Sequence, residues 1–273
     1  MTTADAPPGQ TIGEVTYRRI RADIVFGRLA PGEKLRLDRI SRAYETSVST
    51  LRELLNRLCS EGLIVAEGQR GFEVAPVSEA DWREVAAMRQ LLECHAMEQS
   101  FTRGDLDWEA RVVSAHHKLA VMEKRMIAGD ASGAELWKRC DWEFHHALIS
   151  ACGSKVLLDT HAAIYDKYLR YQMIAVVFRG EIAAVQHAEL LRCALARDFP
   201  GARKVLIDHI QECVDDAVAR GTDWATPAAF KRAAEERGDP ASAPENMTNQ
   251  VRRRSVRGQA SPNRAPKSGQ GLR

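Results

Sequence analysis

Between Ser78 and Thr222 the sequence contains a single proline, Pro200, and that scarcity constrains the fold more than any other feature. Proline fixes φ and removes an N–H donor, so within helical architecture it is confined to helix ends and first turns. Apolar residues in the same stretch recur at three- and four-residue spacing. The pattern predicts helices near 79–100, 107–128, 131–151, 155–178, 181–198 and 202–220, packed as an antiparallel bundle. Ser78 with Asp81 supplies an S-x-x-D cap for the first of them, directly after Pro76, so any linker into this region is very short.

Residues 11–77 have a different texture. A helix over 12–26 places Tyr17, Ile20 and Ile24 on one stripe and ends near Gly27; the turn LAPGEKL follows. A short helix at 37–44 and a longer one at 48–60 lead to two β-prone runs, LIVAE and FEVAP, joined by GQRG. Three helices and a Gly-tipped hairpin in this order describe a winged helix-turn-helix. The fold class is therefore mainly α. A flexible N-terminus (1–10) precedes the winged helix-turn-helix (11–77), the all-helical domain (78–222) and a terminal segment (223–273). In that segment TPAAFKRAAEERG makes a short helix with Thr226 as cap, Pro227 in the first turn and Gly238 as stop, followed by a disordered basic tail.

Charge is distributed unevenly. From residue 251 onward there are seven Arg or Lys and no acid, which leaves the first 250 residues at −5 out of a whole-chain +2. Binding to nucleic acid in the folded part must come from a local patch. No apolar run reaches the ~18–20 residues a membrane helix needs, and MTTADAPPGQ lacks the basic flank and apolar stretch of a leader, so a cytoplasmic protein is expected. The six cysteines form no C-x-x-C pair and read as small buried thiols in a reducing compartment.

In STLRELLNRL, Leu51, Leu54, Leu55 and Leu58 form one apolar stripe, which docks the helix. The other face carries Ser49, Arg52 and Asn56. Arg can donate two bonds to guanine and Asn can pair with adenine in the major groove; an ordinary solvated face carries the same residue types. Ser47 or Thr50 caps this helix, Thr50 through T-x-x-E with Glu53, leaving free N–H groups for a phosphate. The hairpin tip presents Gln69 and Arg70 between Gly68 and Gly71.

Within the bundle, Trp137, Asp141, Phe144, His145 and Leu148 share one helix face. His187 aligns with Ala184, Leu191 and Ala194, and His209 with Ala202, Leu206 and Cys213. A buried polar group without a partner costs on the order of 1–3 kcal/mol, so groups turned into apolar stripes should find each other. They do so either as hydrogen-bonded core residues or around a shared metal. Asp and His at i, i+4 project from one face, and carboxylate with neutral imidazole suits zinc first, with nickel or manganese as alternatives. His95, His116, His117 and His161 belong to no comparable set and read as surface or structural residues.

PGEKL (31–35), VSTLRELLNRLCSEGLI (48–64) and QRGFEVAPVS (69–78) resemble the GntR family of bacterial transcription regulators. The resemblance implies DNA contacts from Arg52 above all. Val48 stands where that family usually has an arginine, so a common DNA contact is missing. D-x-x-x-H at Asp141 and His145, a histidine about 40 residues on and another 22 later resemble the FCD effector domain of the FadR-like branch over about 79–220. That resemblance implies that Asp141, His145, His187 and His209 hold a divalent metal, and that a small carboxylate binds there with help from an arginine of the first helix, here Arg89. An ion pair of Arg89 with a nearby Glu is the alternative. Ser154 replaces an asparagine common in the branch. EGLIVAEGQRGFEVAPVS and HALISACGSKVLL look most like the carbon-starvation-induced regulator (CsiR) group, which implies a dicarboxylate such as glutarate as effector.

The expectation is a homodimeric repressor, not an enzyme. Two winged helices would read a pseudo-palindromic double-stranded operator, and a carboxylate on the metal would release it. One rival is a metal-dependent hydrolase on a helical bundle, against which stand the lack of H-E-x-x-H and of a general base beside the ligands; a second is a DNA-binding protein whose histidine cluster is only structural, with no effector.

Overall fold

The computed structural model describes residues 11–68, 71–130, 133–175 and 179–220. Residues 1–10, the hairpin-tip pair Gln69 and Arg70, and the expected helix and basic tail beyond 222 lie outside the described residues. The N-terminal unit runs α1 (Ile12–Val25), β1 (Lys34–Leu35), α2 (Leu37–Ala43), α3 (Val48–Ser60), β2 (Ile64–Ala66) and β3 (Phe72–Val74). The strands form an antiparallel sheet in the order β1-β3-β2, with Leu35 opposite Phe72 and Ile64 opposite Val74. The two-residue β1 lies inside LAPGEKL, too short to leave any alternation in sequence. Gly68 and Gly71 take positive φ, 57° and 107°, as the hairpin turn requires.

The bundle comprises α4 (Glu79–Arg103), α5 (Leu106–Ile127), α6 (Ala134–Ile149), α7 (Lys155–Ile174), α8 (Gly180–Leu195) and α9 (Phe199–Ala219). Short polar side chains start most of them. Ser78 accepts from Asp81 N, Asp105 from Trp108 N, Ser154 from Leu157 N and Asp198 from Gly201 N. Each such cap is worth about 1 kcal/mol, and it gives Ser154, the departure from the usual asparagine, a definite role. Helix α9 begins at Phe199 rather than at 202, because Pro200 falls in the first turn, where its missing N–H has no intrahelical partner to lose.

Two main cores result. Ile20, Ile24, Leu51, Leu55, Leu58 and Val74 close the N-terminal unit, while Trp82, Trp108, Leu119, Phe144, Leu190 and Leu206 centre the bundle. A third, smaller cluster joins them: Val25 and Phe26 at the end of α1 pack with Tyr165, Leu169 and Met173 of α7. Arg21 bridges Glu61 at 2.9 Å and Asp166 of α7 at 2.5 Å, and Arg28 pairs with Asp23 and with Glu135 of α6. The connection between the units is pinned as well: the Arg170 guanidinium donates to the Ala75 carbonyl, and Val77 joins the bundle core.

Five of the six cysteines are buried and Cys59 is half-buried, with no disulfide among the described residues. Burial pushes the Cys94 thiol up to about 11, which leaves it unreactive at neutral pH. No helix of the described residues is long and apolar enough to cross a membrane.

Candidate metal centre

Helix α6 carries Asp141 and His145 one turn apart, α8 carries His187 and α9 carries His209. One ligand atom from each lies within 4.8 Å of all the others. All four side chains are buried, His145 and His187 completely. The imidazoles meet at centroid separations of 5.5 Å (His145–His187), 5.4 Å (His145–His209) and 4.7 Å (His187–His209). The inward face of α8 is set by Ala183, His187, Leu190 and Cys193, one position off the Ala184 and Leu191 expected from spacing.

Each imidazole is held by its Nδ1. Glu93 Oε1 takes Nδ1 of His145 at 2.5 Å, Glu123 Oε1 takes that of His187 at 2.6 Å, and Gln186 Oε1 takes that of His209 at 3.0 Å. An ionised carboxylate only accepts, so the proton sits on Nδ1 and the Nε2 lone pair is left to bind. The Gln186 amide is oriented by its NH2 donating to Glu212, which turns its oxygen to His209. Among the described residues Nε2 of His145 and of His187 have no hydrogen-bond partner, and the latter stands 3.4 Å from Asp141 Oδ1. The other Asp141 oxygen accepts from the Tyr165 hydroxyl at 2.6 Å. Buried, orphaned nitrogens facing a carboxylate are the donor set of a divalent-cation site, and acceptors behind the histidines are the usual outer support.

Electrostatics agree with that chemistry. Burial lowers His145 and, more strongly, His209, so both stay neutral and able to ligate. Burial alone would raise Asp141; the nearby Lys138 ammonium is the largest opposing influence, and the carboxyl is held below its usual range. Glu93 is lowered in the same way, burial being overcome by Arg89 and His145.

Arg89 is completely buried, its Nε donating to Glu93 Oε2 at 2.9 Å, and its guanidinium lies 4.5 Å and 4.6 Å from the Tyr165 and Tyr168 ring centroids. The ion pair is therefore present, and Nη1 and Nη2 have no hydrogen-bond partner among the described residues. His161, read as surface or structural, is fully buried and bonds Glu93 Oε2 at 3.0 Å. A narrow cavity adjoins the cluster, lined by Lys138, Gln172 and Arg179 together with Asp141, His187 and His209.

Glu93, Glu123, Gln186 and Lys138 are site residues that spacing did not single out. Glu123 was within reach of the same criterion as the histidines, since it follows Ala115, Leu119 and Met122 on the buried stripe of α5. Glu93 stands four residues after Arg89. Gln186 and Lys138 leave no comparable signal.

On the N-terminal unit, Ser49, Arg52 and Asn56 are exposed on α3 and Thr50 is half-buried. Ser47 is the N-cap, accepting from Thr50 N at 3.1 Å, and Thr50 sits within the first turn, so T-x-x-E is not the cap. Arg57 turns away from this face, bonding Glu14 at 3.0 Å and covering the Tyr17 ring at 3.7 Å.

The family model of the FCD domain matches residues 84–212, and that of bacterial regulatory proteins of the gntR family matches residues 12–74. The HTH-type transcriptional regulator BphR of Paraburkholderia xenovorans is 37% identical over 218 residues, covering 77% of this chain and 89% of that protein. The HTH-type transcriptional repressor GlaR of Escherichia coli is 32% identical over 204 residues, 71% of this chain and 90% of its own. Among solved structures, E. coli McbR/YncC superposes with a TM-score of 0.65 at 19% identity, over 78% of this chain and 99% of that one, and carries the same fold. These relatives are regulators rather than enzymes, and nothing supports the hydrolase alternative. The chain belongs to the GntR family of bacterial DNA-binding transcription regulators, with an FCD domain as its helical effector domain.

Proposed function

We propose that the protein is a homodimeric repressor in which a divalent metal, zinc first, is held by Asp141, His145, His187 and His209 and receives a small carboxylate that releases the operator. Residues 11–77 read DNA and residues 78–222 sense the ligand. The observation that carries this reading is the convergence of buried imidazoles on Asp141 with each Nδ1 already engaged. The buried Arg89 guanidinium behind the cluster, paired with Glu93, adds positive charge that favours a bound anion without lining the cavity itself. On the DNA side, Arg52, Ser49, Asn56 and Thr50 face the major groove, while Gln69 and Arg70 of the wing reach the backbone or minor groove. Two copies then read a pseudo-palindrome.

Transmission runs through α7. Tyr165 bonds Asp141 and packs against Val25 and Phe26, Asp166 pairs with Arg21, and Arg170 holds the Ala75 carbonyl. A ligand that alters Asp141 thereby biases the placement of the DNA-binding unit, which is differential binding to two states. Thermal shift tests the reading: chelator should lower the melting temperature, and with metal restored a dicarboxylate or hydroxy acid, glutarate first, should raise it without being consumed. Insensitivity to chelator would overturn it.

A further inference from the structure

Lys138 lies one turn before Asp141 on α6 and is 3% exposed. Its ammonium donates to Gln172 Oε1 at 3.0 Å, lies 3.6 Å from Asp141 Oδ2 and 3.9 Å from the Trp137 ring centroid. An ammonium carries three protons, and Gln172 takes one in a full hydrogen bond. Burying such a charge requires a matching anion. The anion at hand is Asp141, the carboxylate that the proposed function assigns to the metal.

Around the cluster the buried cations Arg89 and Lys138 stand against Glu93, Glu123 and Asp141, while Arg179 on the cavity wall is paired with Glu212 and Asp216. A divalent cation adds two positive charges, so the loaded chamber favours an anionic group. The position of the cavity says where that group meets the protein. Lys138 and Gln172 line it, whereas Arg89 does not. Among the described residues the Gln172 NH2 donates to the weak acceptor Cys213 Sγ, at 3.3 Å. Arg179 on the same wall is engaged by Glu212, Asp216, Gln186 and the His209 carbonyl.

We infer that Lys138, assisted by Gln172, is the residue that binds the effector's carboxylate from the cavity side and restricts the ligand to anions. The inference rests on the metal reading of the cluster. A carboxylate offers two oxygens, one for the ion and one for the ammonium, while a neutral amide of the same shape leaves Lys138 unmatched.

The test uses full-length, metal-loaded protein with glutarate and acetate as probes and glutaramide and acetamide as neutral counterparts. Binding is followed by thermal shift and calorimetry in wild type, Lys138→Met and Lys138→Arg, and metal content is measured in each. The acids should bind wild type and the amides should not. Lys138→Met should keep its metal and lose about ten- to a hundredfold in acid affinity, the worth of a charged hydrogen bond, and Lys138→Arg should restore most of it. Undiminished acid binding in metal-replete Lys138→Met overturns the inference, as does wild type that holds metal and takes amide as well as acid. Loss of metal in both variants assigns Lys138 to support of Asp141 and overturns it too. Wild type that takes up no metal overturns the proposed function itself, a separate failure.

Discussion

Tyr165 donates its hydroxyl to Asp141 Oδ2 at 2.6 Å, and the same ring packs in the cluster formed with Val25 and Phe26 of the DNA-binding unit. One side chain thus touches both the candidate ligand set and the domain it would control. Tyr165→Phe removes the hydrogen bond and keeps the packing. Metal affinity should fall about 10–100-fold, as is usual when an outer partner of a ligand is lost. Competition with a chelator measures this, and an unchanged midpoint would show that the bond does nothing for Asp141.

Glu93 is the charge that Arg89 depends on, and it also accepts from His145 and His161. Glu93→Gln leaves a guanidinium buried and uncompensated. Breaking a buried pair in this way costs about 3–5 kcal/mol, so urea unfolding should show a loss of that size. A change below ~1 kcal/mol would mean that the pair is solvated.

Acid should weaken the chain before its carboxylates titrate. Burial lowers His145 and His209, so the folded state binds fewer protons than the unfolded state, whose imidazoles titrate near 6.5. A depressed histidine therefore costs nothing above about pH 6.5 and subtracts stability as pH falls below it. The melting temperature of chelator-treated protein should decline between about pH 7 and 5.5, and metal occupancy should fall over the same interval because protons compete for the ligands. A flat profile would place the imidazoles in solvent.

Arg52 is exposed on α3, opposite the buried Leu51, Leu55 and Leu58. Arg52→Ala should weaken operator binding by about 1–3 kcal/mol at matched salt. Anisotropy with labelled operator checks it, and unchanged affinity would remove α3 from the groove.

Helix existence was legible throughout the described residues, because long apolar stripes interrupted by few prolines admit little else. Boundaries were less so: α4 continues to Arg103, and α9 starts at Phe199 across Pro200, where capping by Asp198 decides and periodicity does not. For the site, Asp141, His145, His187 and His209 were visible as polar residues on apolar stripes, and the structure brings them together. Their supports were not. Gln186 is adjacent to His187 in sequence yet serves His209 on another helix, and Lys138 becomes a buried cation only through its contacts with Trp137 and with Gln172 of another helix. Such partners are set by packing between helices, which spacing along one helix does not encode.

Metal content of purified, dialysed wild type and His187→Ala, measured by elemental analysis, bears most directly on the cluster as a sensor. His187 offers one of the four candidate ligand atoms and is fully buried against Glu123 and Asp141, so its removal would open the set. Wild type should hold about one divalent ion per chain and the variant only background. Full occupancy in His187→Ala, or none in wild type, would contradict the metal centre on which the account rests.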